Sequence, residues 1–254
     1  MSTPELLVSV ADVDVWHGDC RDILPIIERA DHLISDPPYS KHTHSNARGN
    51  RGEAGIVERD FGFEHLKPSL RRFVAQWACE RAIGWIAVFT DRESSWLWRL
   101  SIEAAGGLYR RTIPWVRWSA PQFNGQAPPS SAEDIVFSKP RRRERKWING
   151  ARQLYDTPCL RHHNKEGHTT EKPVSLMMEI LGDCTLPGDL IVDPFCGSGT
   201  TLISAMRMGR RAIGIEADRE NAKLCAERVA AEASGSTRKA MLSGQRALFE
   251  RIGT

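Results

Sequence analysis

Residues 33–40 read LISDPPYS, an apolar run that ends on Asp36, two prolines and Tyr39. Each proline lacks a backbone N–H and has φ fixed at about −65°, so the run cannot continue as strand or helix. What remains is a carboxylate, the backbone carbonyl of Pro37 and an aromatic ring, all held still. Either this is a rigid turn with a surface tyrosine, or Asp36, Pro37, Pro38 and Tyr39 form a working site.

A second stretch, IVDPFCGSGTT at 191–201, also ends an apolar strand on an acid, Asp193. A Gly197-Ser198-Gly199 turn follows Phe195, and Thr200 opens a helix. Glycines let the backbone turn sharply and approach a ligand closely, and the helix start behind them favours anions. A P-loop does not fit, since no lysine follows the second glycine. A nicotinamide fingerprint lacks its third glycine. Glu216, about twenty residues further on, stands where an acid can accept hydrogen bonds from a ribose diol. A nucleoside ligand accounts for all of these features. A turn packed for its own sake, with Glu216 as a surface acid, accounts for them equally well when this stretch stands alone.

Such sites need a scaffold, and the pattern between them supplies one. Short β-rich apolar runs fall at 13–18, 32–35, 85–90, 113–118, 134–138, 190–195 and 211–217. Helix-like segments fall at 21–29, 69–82, 95–106, 173–184, 200–209 and 219–233. This alternation predicts an α/β fold with an open, mostly parallel sheet covered by helices on both faces. Runs 113–118 and 134–138 have no helix between them and are expected to pair antiparallel. The 254 residues, 41% hydrophobic, suffice for one sizeable core, read as a single domain over 1–254.

Three regions stand outside the pattern: a polar, glycine-bearing loop at 40–62, a basic segment at 139–168, and a tail at 234–254. Net charge is only +3, so the distribution of charge says more than its total. The six cysteines are scattered without a C-x-x-C pair, which argues against a zinc site or a disulfide framework, and no metal site is expected. The N-terminus has no basic start and carries acids inside its apolar stretch, a poor signal peptide. Run 83–89 is far too short to span a bilayer. The expected setting is a reducing cytoplasm.

DPPY together with DPFCGSGT resembles the S-adenosylmethionine-dependent DNA amino-methyltransferases, and the order, catalytic motif before cofactor motif, is that of their permuted β class. WHGDC at 16–20 is similar to the family's Gly-Asp segment. HTTEKP at 168–173 resembles its H-P-T-x-K-P segment, with Thr169 where proline is usual. SSAEDIVFSKP resembles its final strand with Glu133 before it. The resemblance spans roughly residues 13 to 230. It implies a Rossmann-like methyltransferase sheet, mostly parallel with one antiparallel strand, in which the two motif strands are neighbours.

Carried onto this chain, the family's pattern makes Asp36 and Pro37 the acceptors for the target amino group and Tyr39 a stacking face for a base flipped out of the duplex. Asp19, Asp36, Thr170, Lys172, Asp193, Phe195, Gly197, Ser198, Gly199, Thr200 and Glu216 become the contacts for S-adenosylmethionine, with Glu216 on the ribose. Lys172 and Thr170 are expected at the cofactor's carboxylate, and Lys172 has a plain alternative as an exposed cap. DPPY favours adenine N6. Cytosine N4 is the runner-up, a protein or RNA methyltransferase the third reading, and a non-catalytic DNA-binding subunit an alternative of another class. Pro158-Cys159 is the kind of pair used for cytosine C5 methylation but lacks that family's motif order.

The resemblance makes double-stranded DNA the partner and a bacterial or phage-encoded protein the setting. Arg141, Arg142, Arg143, Arg145 and Lys146 are then expected on phosphates or guanine edges as part of a target-recognition insert, and Lys41, Arg48 and Arg51 in a loop closing over DNA. A charge run of this kind is otherwise a solvated face. The insert is short, which predicts a short or relaxed target site or help from a homodimer partner. In the tail, Gln245, Leu248 and Phe249 match the Q-x-x-L-F pattern of bacterial sliding-clamp ligands; a short amphipathic helix explains the same residues.

Overall fold

The computed structural model describes residues 3–39, 48–52, 55–58, 66–117, 131–141, 145–150, 152–158 and 171–236. Its main element is an eight-stranded sheet. In chain order the strands are β1 (Glu5–Val10), β2 (Val13–His17), β3 (His32–Ser35), β6 (Ile86–Thr90), β7 (Gly107–Val116), β8 (Ala132–Pro140), β9 (Leu190–Asp193) and β10 (Arg211–Glu216). A separate hairpin, β4 (Arg48–Gly52) with β5 (Gly55–Glu58), follows the DPPY turn. The sheet order is β1-β2-β10-β9-β3-β6-β8-β7.

Strands β2, β10, β9, β3 and β6 run parallel, while β8 is antiparallel to both β6 and β7. The expected antiparallel pair and the adjacency of the motif strands are both present: His32 and Leu33 pair with Ile191 and Val192. From β3 the chain builds outward to one edge and from β9 to the other. The order therefore reverses between them, and the crevice beyond their carboxyl ends is where such sheets bind ligands.

Helices cover both faces. On one lie α1 (Cys20–Ile23), α2 (Pro68–Arg81) and α3 (Ser95–Ala104); on the other, α4 (Val174–Cys184), α5 (Thr200–Arg207) and α6 (Arg219–Ala233). The strands feed both layers through their period of two. On β6, Ile86 and Val88 pack with Val74, Trp77 and Ile102, whereas Ala87 and Phe89 belong with Leu176, Ile180 and Leu202. Fully buried side chains of this size each contribute about 1.5–3 kcal/mol.

Three expectations are corrected. The apolar stretch near the N-terminus is an added edge strand, β1, antiparallel to β2. Helix 21–29 stops at Ile23 and passes into a 3-10 turn at Leu24–Ile26, because Pro25 cannot continue it. The segment 40–62, read as loop, contains the β4–β5 hairpin.

Candidate active site

The glycine turn caps the end of β9. Gly197 and Gly199 have φ of +52° and +93°, a region that L side chains rarely adopt. A Cβ on Gly197 would meet nothing within 4 Å, while one on Gly199 would stand 2.7 Å from Cys225 Sγ. The first glycine keeps the front of the turn clear; the second lets α6 pack behind it. Arg228 of α6 donates to the Ser198 carbonyl at 2.7 Å and to its hydroxyl oxygen at 2.9 Å, and pairs with Glu171 at 2.6 Å. Glu171 also accepts from the Thr200 hydroxyl at 3.0 Å. Arg228 and Glu171 escaped the sequence reading because nothing local distinguishes them from ordinary surface charges.

Beneath the turn, Asp193 is 2% exposed. It accepts from the Ser35 hydroxyl at 2.5 Å and from the Phe195 N–H at 3.1 Å. Burial pushes its carboxyl up to about 6 despite these bonds. Its place is that of a brace between the two motif strands, under the loop rather than in front of it.

At the ends of β10 and β2 stand the other two acids. Glu216 accepts from the N–H groups of Gly197 at 2.9 Å and Asp218 at 2.8 Å, and burial pushes it up to about 7. The Gly18 N–H donates to the Glu216 carbonyl at 2.9 Å, which brings Asp19 alongside. Asp19 caps α1 through the Arg21 N–H, and the Arg21 guanidinium holds its carboxyl below the usual range.

Across the sheet's switch point, Asp36 leaves the end of β3. Its Oδ2 accepts from Lys172 Nζ at 2.6 Å, while Oδ1 is buried and makes no hydrogen bond among the described residues. Glu133, at the start of β8, accepts from the Tyr39 hydroxyl at 2.5 Å and pairs with Lys172 and Arg117, each at 3.1 Å. Burial pushes Asp36 up. For Glu133 burial acts the same way, but Lys172 and Arg117 outweigh it and hold the carboxyl low. Lys172 is buried rather than an exposed cap, and its ammonium lies between Asp36 and Glu133.

The basic segment takes a different course from that expected. Because β8 runs against β6, Ser138 pairs with Ile86, the first residue of β6. Lys139, Arg141, Arg145 and Lys146 thus lie at the amino edge of the parallel strands, opposite the crevice. Arg145 pairs there with Asp31 and Asp189, at 3.3 and 3.2 Å. The carbonyl of Lys146 accepts from the Trp85 indole. The chain then returns over α4, where Arg152 bonds Asp183 and Glu179 and the Tyr155 hydroxyl donates to Asp183 at 2.9 Å. In the described part of the expected recognition insert, Arg145 and Arg152 are therefore paired with acids of the fold. Arg48 and Arg51 lie on β4; Lys41, Arg142, Arg143, Thr170, Cys159, Gln245, Leu248 and Phe249 lie outside the described residues.

A clear front at Gly197, flanked by Asp19 and Glu216 and facing Asp36 across the switch point, fits a nucleoside that carries a reactive group toward Asp36. A doubly wound sheet with these two half-sites agrees with what the sequence resemblance implies, a methyltransferase that uses S-adenosylmethionine and acts on an amino group. The chain belongs to the N6/N4 DNA methylase family, whose model, described as DNA methylase, matches residues 30–227. It is 28% identical over 226 residues to the type II methyltransferase M2.DpnII of Streptococcus pneumoniae, covering 81% of this chain and 84% of that one. Its fold is similar to that of M1.HpyAVI in complex with SAM (TM-score 0.64, 20% identity, 85% and 99% of the two chains). It is also similar to the cytosine-N4-specific PvuII DNA methyltransferase (TM-score 0.65, 14% identity, 98% and 100%). Among the described residues no helix is long and apolar enough to cross a membrane, and no group of metal-ligating side chains occurs.

Proposed function

We propose that this DNA methyltransferase acts on N6 of an adenine swung out of the duplex. The observation that carries the reading is the Asp36 carboxylate at the end of β3, with one buried oxygen left without a donor. An exocyclic amino nitrogen is a poor nucleophile because its lone pair is delocalised into the ring. Asp36 Oδ1 and the Pro37 carbonyl accept its two N–H groups and draw the nitrogen toward tetrahedral geometry. S-adenosylmethionine would be held by Asp19, Phe195, Gly197 and Glu216 and would supply a methyl on its sulfonium sulfur; the S–CH3 bond breaks as the N–CH3 bond forms, and the methylated nitrogen then loses its proton to water. As positive charge builds on the nitrogen, the fixed Asp36 carboxylate stabilises it without having to reorganise.

Flipping the base costs a few kcal/mol. Tyr39 offsets this by stacking, worth about 1–3 kcal/mol per base. The Glu133 carboxylate fixes the ring by accepting its hydroxyl. The acceptors serve either amino group; the preference for adenine comes from the family resemblance, in which cytosine-N4 enzymes more often carry serine at the position of Asp36. Arg48 and Arg51, on β4, are assigned to DNA phosphates. The whole chain is read as one catalytic domain in a bacterial cytoplasm, working alone or as a homodimer.

Incubation with labelled S-adenosylmethionine and mixed-sequence duplex DNA, followed by nucleoside analysis, tests the reading. N6-methyl-2′-deoxyadenosine is the expected product, and label on N4 of deoxycytidine would sink the adenine assignment. Asp36→Ala is expected to abolish transfer and leave duplex binding largely intact.

A further inference from the structure

Lys172 is 8% exposed, yet its ammonium is shared between two carboxylates, Asp36 at 2.6 Å and Glu133 at 3.1 Å. It also lies 5.2 Å from the centre of the Tyr39 ring and 5.3 Å from that of Phe89. Glu133 is fixed in turn by Arg117 on Oε1 and by the Tyr39 hydroxyl on Oε2. Burying this many charges is costly and needs close geometry to be tolerated. The outcome of that geometry is asymmetric: one oxygen of Asp36 is occupied and the other is not.

We infer that Lys172, anchored by Glu133, is a positioning residue for methyl transfer: it occupies Asp36 Oδ2, fixes the rotation of the carboxylate so that Oδ1 alone meets the target amino group, and keeps the carboxylate ionised. The inference rests on the role given to Asp36 above, and it replaces the expected contact between Lys172 and the carboxylate of the cofactor. Ionisation matters because a protonated Asp36 would present an O–H to the nitrogen lone pair, which is the pair that must attack. The charged and titratable groups around Asp36 are Lys172, Glu133, Tyr39, Asp193 on β9 and, behind Glu133, Arg117. Burial, first, and the Glu133 charge push the Asp36 carboxyl up; Lys172 and, after it, the Tyr39 hydroxyl draw it down. Removing one partner or the other therefore moves Asp36 in opposite directions.

The test measures single-turnover methylation of duplex DNA against pH for Lys172→Met, Lys172→Arg and Glu133→Gln, with the affinities for S-adenosylmethionine and DNA measured separately. Lys172→Met is expected to slow the step by about 100-fold or more at neutral pH, with both affinities within about threefold, and Lys172→Arg to recover at least about tenfold of the loss. The acid limb of the rate should shift up in Lys172→Met and down in Glu133→Gln. A purely structural role would not produce this reversal of sign. If Lys172→Met does not fold, Glu133→Gln still decides: a limb that moves up or stays put overturns the inference. An unchanged saturated rate with weakened cofactor binding would also overturn it, returning Lys172 to the cofactor. Label on cytosine N4 would defeat the adenine reading alone, since either amino group needs the same acceptors.

Discussion

Ser35 and Asp193 are 158 residues apart in sequence and share a 2.5 Å hydrogen bond where β3 and β9 end side by side. The bond joins the DPPY turn to the glycine turn at their bases, so the two half-sites are set against each other by one buried carboxylate. Ser35→Ala removes a donor from that carboxylate, and a loss of about 1–3 kcal/mol is expected. Urea unfolding reads it; a change under about 0.5 kcal/mol, the size of an ordinary surface substitution, would show that the brace carries nothing.

The two glycines of the turn should fail in different ways. In Gly199→Ala the new methyl meets Cys225 at a φ of +93°, so stability should drop by about 1–3 kcal/mol. In Gly197→Ala the methyl has room, and the backbone penalty is about 1–2 kcal/mol. That methyl stands in front of the turn, so cofactor binding should fall more than stability does. Calorimetric titration beside thermal unfolding separates the two, and equal binding by Gly197→Ala and the parent would remove the front of the turn from the cofactor site.

Burial raises Glu216 from its ordinary 4.5 to about 7. Between these values the folded chain holds a proton that the unfolded chain has lost. The resulting stability is present below about 4.5 and is lost as pH rises through about 7. Relative to Glu216→Gln, the ligand-free protein should lose on the order of 2–3 kcal/mol between pH 5 and 8. Parallel denaturation curves for the pair at both pH values check this, and identical slopes would contradict it.

Tyr39 separates stacking from anchoring. Tyr39→Phe keeps the ring and loses the bond to Glu133, which still has Lys172 and Arg117. Tyr39→Ala loses the ring as well. The alanine variant should be about 5- to 150-fold slower, as expected for 1–3 kcal/mol of base stacking, with the phenylalanine variant much closer to the parent. Fluorescence of a 2-aminopurine at the target position reports the flipped state. Equal signals from both variants would place the base elsewhere.

Both turns were legible because their chemistry is local. Two prolines after an apolar run must end a strand, and glycines before a helix must turn sharply, whatever surrounds them. The order of strands and helices followed from the same short-range periodicity. Missing from that reading were β1, an apolar stretch considered only as a signal peptide, and the hairpin within 40–62, whose polar residues carry no alternation.

The sequence by itself determined which residue types face the crevice: Asp36, Tyr39, the glycines and Glu216. The tertiary structure alone decided what their neighbours do with them. Lys172 reaches Asp36 across 136 residues of chain, and no local pattern encodes that pairing. The direction of β8 sends Lys139, Arg141, Arg145 and Lys146 to the edge away from the crevice, where Arg145 is spent on Asp31 and Asp189. Charge is visible in a sequence, but whether it meets DNA or an acid of its own fold depends on strand direction, and strand direction is set by long-range pairing.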